Sequence, residues 1–285
     1  MTFYIFAWIA SVMYGLEAII GKMISRHSIH NPWFFNFVWE FFILVGMTII
    51  GIWYGIGIPT QWIYIILGSL MYASGSALYT LALYKLDVSV ISPMFSFRTA
   101  MAILVGAIFL GEILTSRQYF LIGIIFLFGM FVSIDENFHL KSFFNKNILI
   151  LLLDMLCLVF MAMFIKKAIA VDGFWTTTIW IALLGQIWLL GTVNLFRKEL
   201  KEATLKQYSH TALVAITGII GTLAANAAYS KNVSISATII SIPTSLILAF
   251  LFSIFKPELL ESHTLKIYAI RFISAAVMII AALKI

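Results

Sequence analysis

The chain has 285 residues, of which 62% are hydrophobic and 11% charged, and its mean hydropathy is +1.05. That composition excludes an ordinary soluble domain, because too little polar surface remains to cover a water-facing fold. The net charge of +6 would suit nucleic acid in a soluble protein. Here the basic residues cluster at the ends of apolar runs, where they anchor to lipid headgroups, so no nucleic-acid partner is expected.

A bilayer core needs about 20 apolar residues per helix. The apolar runs predict ten such helices, over 3–24, 32–54, 61–84, 88–110, 117–134, 147–169, 174–196, 209–230, 234–255 and 265–284. The first run starts at Phe3 with no basic stretch before it and no small-residue cleavage site, so it reads as a retained helix rather than a removed signal. Tight reversals are expected at Lys85-Leu86-Asp87 and Lys231-Asn232-Val233, and longer polar connections at 135–146 and 197–208.

Along these runs a few groups stand out because charge at mid-membrane depth is costly. Span 1 carries Glu17, with Trp8 and Tyr14 as deep aromatics. Span 2 carries Glu40. Span 3 is rich in small and polar residues from Tyr72 to Thr80, including Tyr79. Span 4 holds Pro93 and, ten residues in, Arg98. Span 6 holds Asp154 and the lone Cys157. Span 8 combines Gly218 and Gly221 with Asn226, span 9 holds Pro243, and span 10 holds Arg271. Pro93 and Pro243 each remove a backbone hydrogen bond and are candidate hinges. Trp33, Trp53, Trp62 and Trp175 suit an interfacial belt.

The two halves of the chain resemble each other. A shift of 146 residues lays Gly75–Glu112 over Gly221–Glu258, matching Lys85 with Lys231, Glu112 with Glu258 and Thr80 with Asn226. The expected units are a first five-helix repeat at 1–136, a connecting loop at 137–146 and a second repeat at 147–285. Five helices per half forces the second half to enter from the opposite side. The expected fold is therefore an all-α integral membrane protein of ten transmembrane helices in two inverted repeats, an arrangement that in transporters places the substrate where the halves meet.

Ser92-Pro93 near the start of span 4 and Phe109-Leu110-Gly111-Glu112 at its end resemble the drug/metabolite transporter superfamily, and its EamA-like branch in particular. In the second half Pro257-Glu258 stands where that pattern has glycine-glutamate. The resemblance implies a central cavity lined by helices 1, 3, 4, 6, 8 and 9, which would let Arg98, Glu17 and Asp154 share one site. It implies a secondary transporter in the bacterial plasma membrane. Such a protein would move a small metabolite, an amino acid or similar solute, by alternating access with proton coupling or exchange. A lipid-linked sugar flippase of the same superfamily and a non-transporting scaffold are the alternatives.

The expected substrate-binding residues are Tyr14, Glu17, Tyr79, Arg98, Asp154 and Asn226, with Glu17 and Asp154 as proton carriers. Arg98 suits a carboxylate or phosphate through its planar fork. It could equally form a structural ion pair with Glu17, Glu40 or Asp154. For Asp154 an interfacial position near the start of its helix is the other reading. Arg271 reads as structural, and Glu112, Glu258, Lys85 and Lys231 as helix-end groups. His27, His30, His139, His210 and His263 fall in loops or at span ends. No enzyme activity, metal or cofactor is therefore expected, and the partners are a small solute and the bilayer, with a monomer or weak homo-oligomer. Eleven Lys and Arg lie on one side of the membrane and five on the side of the termini. That bias places the termini outside, whereas the resemblance places them in the cytoplasm.

Overall fold

The computed structural model describes residues 2–110, 113–133, 143–240, 242–256, 258–260 and 263–284, leaving aside the side chains of 2, 106, 109, 110, 233, 234, 237 and 238. The Gly111-Glu112 motif, Pro257, His139 and most of the 137–146 connection lie outside the described residues.

What is described is all helical. The elements are α1 (Thr2–His27), α2 (Pro32–Ile52), α3 (Trp62–Lys85), α4 (Val88–Met94), α5 (Phe97–Leu110), α6 (Ser116–Val132) and α7 (Lys146–Asp172). They continue with α8 (Phe174–Leu189), α9 (Arg197–Glu202), α10 (Leu205–Tyr229), α11 (Val233–Ile240), α12 (Thr244–Phe255) and α13 (Leu265–Lys284). Eight segments are long and apolar enough to cross a membrane, counting Val88–Val105 as one, and Ser116–Val132 and Thr244–Phe255 are shorter apolar helices. The chain is thus built as a multi-pass integral membrane protein. Large apolar side chains such as Ile5, Ile49, Ile273 and Leu283 point outward, at 58–63% exposure, as they must where the surrounding solvent is hydrocarbon.

Local chemistry sets the helix ends. Asn31 accepts from the backbone N–H of Trp33 and Phe34, with Pro32 in the first turn. Thr115 with Gln118 and Thr204 with Gln207 form capping boxes. Gly173, at φ +80°, lets the chain reverse between α7 and α8 without a Cβ penalty. Both expected tight reversals are present, since α3 ends at Lys85 and α10 at Tyr229. Lys85 and Lys231 are exposed there.

Span 7 is shorter as an α-helix than expected. After Leu189 it tightens into a 3-10 turn over Leu190–Leu195. Spans 4 and 9, expected as single helices, are each broken in mid-course.

The pairing of helices is reciprocal. α1 packs along α10, and α3 packs along α7. α2 lies against α8, and α6 against α13. The largest cluster of buried apolar side chains runs from Ile19, Phe34 and Phe35 through Met94 and Phe97 to Met155 and Met278.

One end of the bundle is tied by a series of side-chain bonds. Ser28 Oγ meets His210 Nδ1 at 3.0 Å, Asn31 donates to Glu199 at 2.7 Å and Tyr84 donates to the Ile29 carbonyl at 2.8 Å. His263 meets Asp87 at 2.9 Å. We call this the His27 end and the opposite one the Thr2 end.

Candidate functional site

A cavity of about 170 Å³ lies among the helices. All six residues expected to bind substrate, Tyr14, Glu17, Tyr79, Arg98, Asp154 and Asn226, line it. On α1, Ser11, Tyr14 and Ala18 recur at helical spacing and bring Glu17 with them. Trp8 faces outward at 47% exposure and takes no part. The wall includes α2 and α8 as well as the elements expected from the resemblance, through Trp39, Glu40, Ile43 and Met47 on α2 and Thr178, Ile181 and Ala182 on α8. Tyr229 closes α10 and Thr178 lies in the opening turns of α8, so the cavity reaches from mid-depth toward the Thr2 end.

The two broken spans meet this cavity. Past Pro93 the backbone tightens: Ser96 N–H donates to the Pro93 carbonyl at 3.1 Å and Arg98 N–H to that of Phe95 at 3.0 Å. A new helix then starts at Phe97, so Arg98 sits in the first turn of α5. In span 9, Pro243 precedes α12 and Thr244 N–H turns back to the Ile242 carbonyl at 2.8 Å. That break is bolted to α1 from both sides. Thr244 Oγ1 donates to the Ser11 carbonyl at 2.8 Å, and Ser11 Oγ donates to the Ile242 carbonyl at 3.2 Å. Pro93 thus lies just before one break, inside the last turn of α4, and Pro243 lies in the other, as the residue that caps α12. Several N–H groups at the two restarts are taken up by nearby carbonyls, Thr99 by Ser96 at 3.2 Å and Leu246 by Pro243 at 3.0 Å, so what a helix beginning at mid-depth offers the cavity is chiefly the positive end of its dipole.

The charges in the cavity are poorly compensated by the protein. Arg98 is 5% exposed, yet among the described residues no carboxylate lies within ion-pair distance of it. Its contacts are the Leu158 carbonyl at 3.4 Å and the face of the Tyr229 ring, 5.3 Å from the centroid. The structural ion pair weighed from the sequence is not formed. Asp154 is 1% exposed and neither of its carboxylate oxygens has a hydrogen-bond partner. It lies well inside α7, so the interfacial reading of Asp154 is excluded. Glu17 Oε2 is likewise buried without a partner.

Glu40 lies on α2, which is not among the helices that the resemblance implies for the cavity wall. It faces the cavity and accepts a hydrogen bond from Tyr72. Sequence reasoning missed Trp39, Tyr72, Thr178, Thr222 and Tyr229 in the same wall. The visible signal was Glu40 itself, an ionisable group deep in an apolar run.

The polar residues sort into two sets. Asn226 donates to Thr178 at 3.2 Å and Tyr14 to Thr222 at 3.4 Å, both inside the cavity. Thr80, which the internal shift pairs with Asn226, instead donates to Asn36 at 2.9 Å, away from it. Arg271 is structural, as expected: it donates to Ser89 and lies 3.9 Å from Asp87. Among the described residues no group of His, Cys, Asp and Glu could hold a metal ion.

Residues 1–134 match the model of the EamA-like transporter family. No curated protein matches this chain. A solved structure described as a crystal structure of a protein is similar over 95% of this chain and 96% of its own length, at 9% identity and a TM-score of 0.57. At that identity the likeness is one of fold.

Proposed function

We propose that the chain, whose residues 1–134 match the EamA-like transporter family, is a member of that family and a secondary transporter for a small zwitterionic metabolite such as an amino acid. One observation carries this reading. The Arg98 guanidinium and the Asp154 carboxylate line the same cavity, both nearly fully buried, and among the described residues neither lies within ion-pair distance of an opposite charge. Insertion scales put an ionised group at mid-membrane at roughly 2.5–3.5 kcal/mol. A substrate carboxylate on Arg98 and a substrate ammonium on Asp154 would offset both costs together. The cavity, at about 170 Å³, is below the roughly 300–1,000 Å³ of drug-sized sites, and favours a small solute over a lipid-linked sugar.

The transport cycle we infer is alternating access between two inverted five-helix repeats, 1–136 and 147–285, forming ten spans. Two features support it. The pairings α1 with α10 and α3 with α7 exchange under such a symmetry, and spans 4 and 9 are both broken. The bonded His27 end would be the closed gate and the Thr2 end the open one. Pro93 and Pro243 would act as hinges, and Glu17 or Asp154 would carry the coupling proton. The protein would act as a monomer in the plasma membrane.

The test is thermal stability of the purified protein against amino acids, nucleotides, sugars and organic acids. A ligand of the folded state at a hundred times its Kd adds about 2.7 kcal/mol. A rise in Tm with amino acids that is lost in Arg98→Ala supports the reading. Stabilisation by none of the amino acids, or an undiminished rise in the variant, removes it.

A further inference from the structure

The cavity holds more acid than base: Glu17, Glu40 and Asp154 against Arg98 alone. A simple zwitterion supplies one cation and one anion, which accounts for Arg98 and Asp154 and leaves two carboxylates over.

The four charged groups can be sorted into two poles by the helices that carry them. Arg98 reaches the Leu158 carbonyl of α7 at 3.4 Å, one turn on from Asp154, which forms the first pole with it. The second pole is built on α1 and α2. Glu17 Oε1 and Trp39 Nε1 both lie against Gly218 of α10, at 3.3 and 3.4 Å from where a Cβ would stand. Glu40, next to Trp39, accepts from Tyr72 through one of its oxygens. Glu17 Oε2 and Trp39 Nε1 are buried without partners. Aromatic rings line the same cavity. Tyr14 is among them, and the Tyr79 ring lies 6.2 Å from that of Trp39 and 6.1 Å from that of Phe95, which stands three residues before Arg98. Aromatic faces flanking carboxylates attract organic ammonium groups, at about 0.5–2 kcal/mol per ring depending on desolvation.

We propose that the Glu17–Glu40 pole receives a second ammonium, so that the substrate is a basic amino acid. Its carboxylate meets Arg98, its α-ammonium meets Asp154, and its side-chain ammonium crosses between Tyr14 and Tyr79 to Glu17 and Glu40. Three ligand charges then complement four protein charges, leaving one carboxylate of the second pole free for a proton. This inference rests on the zwitterion reading above and narrows it.

The experiment measures binding of L-lysine, L-norleucine and cadaverine to the purified protein by calorimetry. It uses wild type, Arg98→Ala, Glu40→Gln and Glu17→Gln, each checked for a monodisperse elution profile. L-norleucine lacks only the side-chain ammonium, and cadaverine only the carboxylate. L-lysine is expected to bind at least tenfold more tightly than either. Glu40→Gln, which keeps the acceptor for Tyr72, should erase the preference for L-lysine over L-norleucine by weakening L-lysine binding at least tenfold more than L-norleucine binding. Arg98→Ala should erase the preference for L-lysine over cadaverine. L-norleucine binding as tightly as L-lysine in wild type would overturn the second ammonium site and leave the zwitterion reading standing. Binding of neither amino acid would remove both. Loss of L-norleucine and L-lysine binding alike in both carboxylate variants would also overturn the inference, because it would make that pole a structural element.

Discussion

The ammonium of Lys22 lies 2.7 Å from the carbonyl oxygen of Leu83. It donates equally closely, at 2.7 Å, to the carbonyl of Leu86. Lys22 is 4% exposed on α1, and the two carbonyls belong to the last turn and the cap of α3. A cation there suits the negative end of the helix dipole, and it fastens α1 to α3 at the His27 end. This lysine is therefore a bolt and not the interfacial anchor that the charge count made of it. Lys22→Met keeps the apolar stem and removes the bonds. Hydrogen bonds to charged groups are worth about 1.5–3 kcal/mol each. The variant should melt several degrees lower, and cysteines introduced at the His27 end should react faster with a water-soluble maleimide. An unchanged labelling rate would mean that the gate is held elsewhere.

Asp87 connects the same gate to pH. Burial raises its carboxyl pKa, but the hydrogen bond from His263 and the charges of His263, Arg271 and Lys22 outweigh that and hold it below the usual carboxylate value. A carboxyl held low in the folded state contributes stability that is fully present above its unfolded pKa, near 3.9. That contribution is lost as pH falls through the lower, folded value. Wild-type Tm should be steady from neutral pH down to the ordinary carboxylate range and fall below it. Asp87→Asn should start lower at neutral pH and lose less on acidification. Parallel melting curves for the two proteins between pH 7 and pH 3 would contradict this.

Gly185 of α8 faces Tyr72. A Cβ at that position would stand 2.7 Å from Tyr72 Cδ1, closer than real carbon contacts allow. The ring would have to turn, and its hydroxyl would leave Glu40. Gly185→Ala and Tyr72→Phe should therefore share a phenotype, a raised KM with a folded protein. The double variant should be no worse than the single ones, since residues acting through one contact are not additive. Fully additive losses would place Gly185 and Tyr72 on separate routes.

Much of this site was readable beforehand because cost concentrates in few residues. Arg98, Glu17 and Asp154 are expensive anywhere in hydrocarbon, so each pointed inward regardless of helix phase. Phase itself would have separated Tyr14 from Trp8. Six residues at about 100° each leave Trp8 roughly 120° from Tyr14 around the helix, and Trp8 indeed faces out. Glu40 was harder, since α2 is apolar all round and its spacing does not say which side meets the cavity. The helix restart at Phe97 was not legible either. Pro93 warns of a kink, but it sits inside α4 and the break follows Met94, a place no residue type marks in the sequence. The internal shift of 146 residues matched Thr80 to Asn226, and each donates to the second helix of its own half, Thr80 to Asn36 on α2 and Asn226 to Thr178 on α8. Only Asn226 lines the cavity, so the repeat keeps the direction of the side chain but not its access to the site.

Coupling follows from the spare carboxylates. A carboxylate that accepts an ammonium in one half of a cycle and a proton in the other links the two fluxes, because it cannot hold both. Glu17 has an oxygen buried without a partner and lines the cavity with Glu40, whereas Asp154 stands one turn of α7 from the Leu158 carbonyl that Arg98 contacts. The two acids should therefore fail differently. Glu17→Gln should abolish accumulation of substrate driven by a pH gradient across proteoliposomes, while exchange of labelled for unlabelled substrate persists with a moderately raised KM. Asp154→Asn should raise KM at least tenfold in both assays, since its role is to hold the α-ammonium. Gradient-driven accumulation that survives Glu17→Gln would assign the proton to Asp154 or Glu40, and an Asp154→Asn protein with unchanged KM would remove Asp154 from the head site.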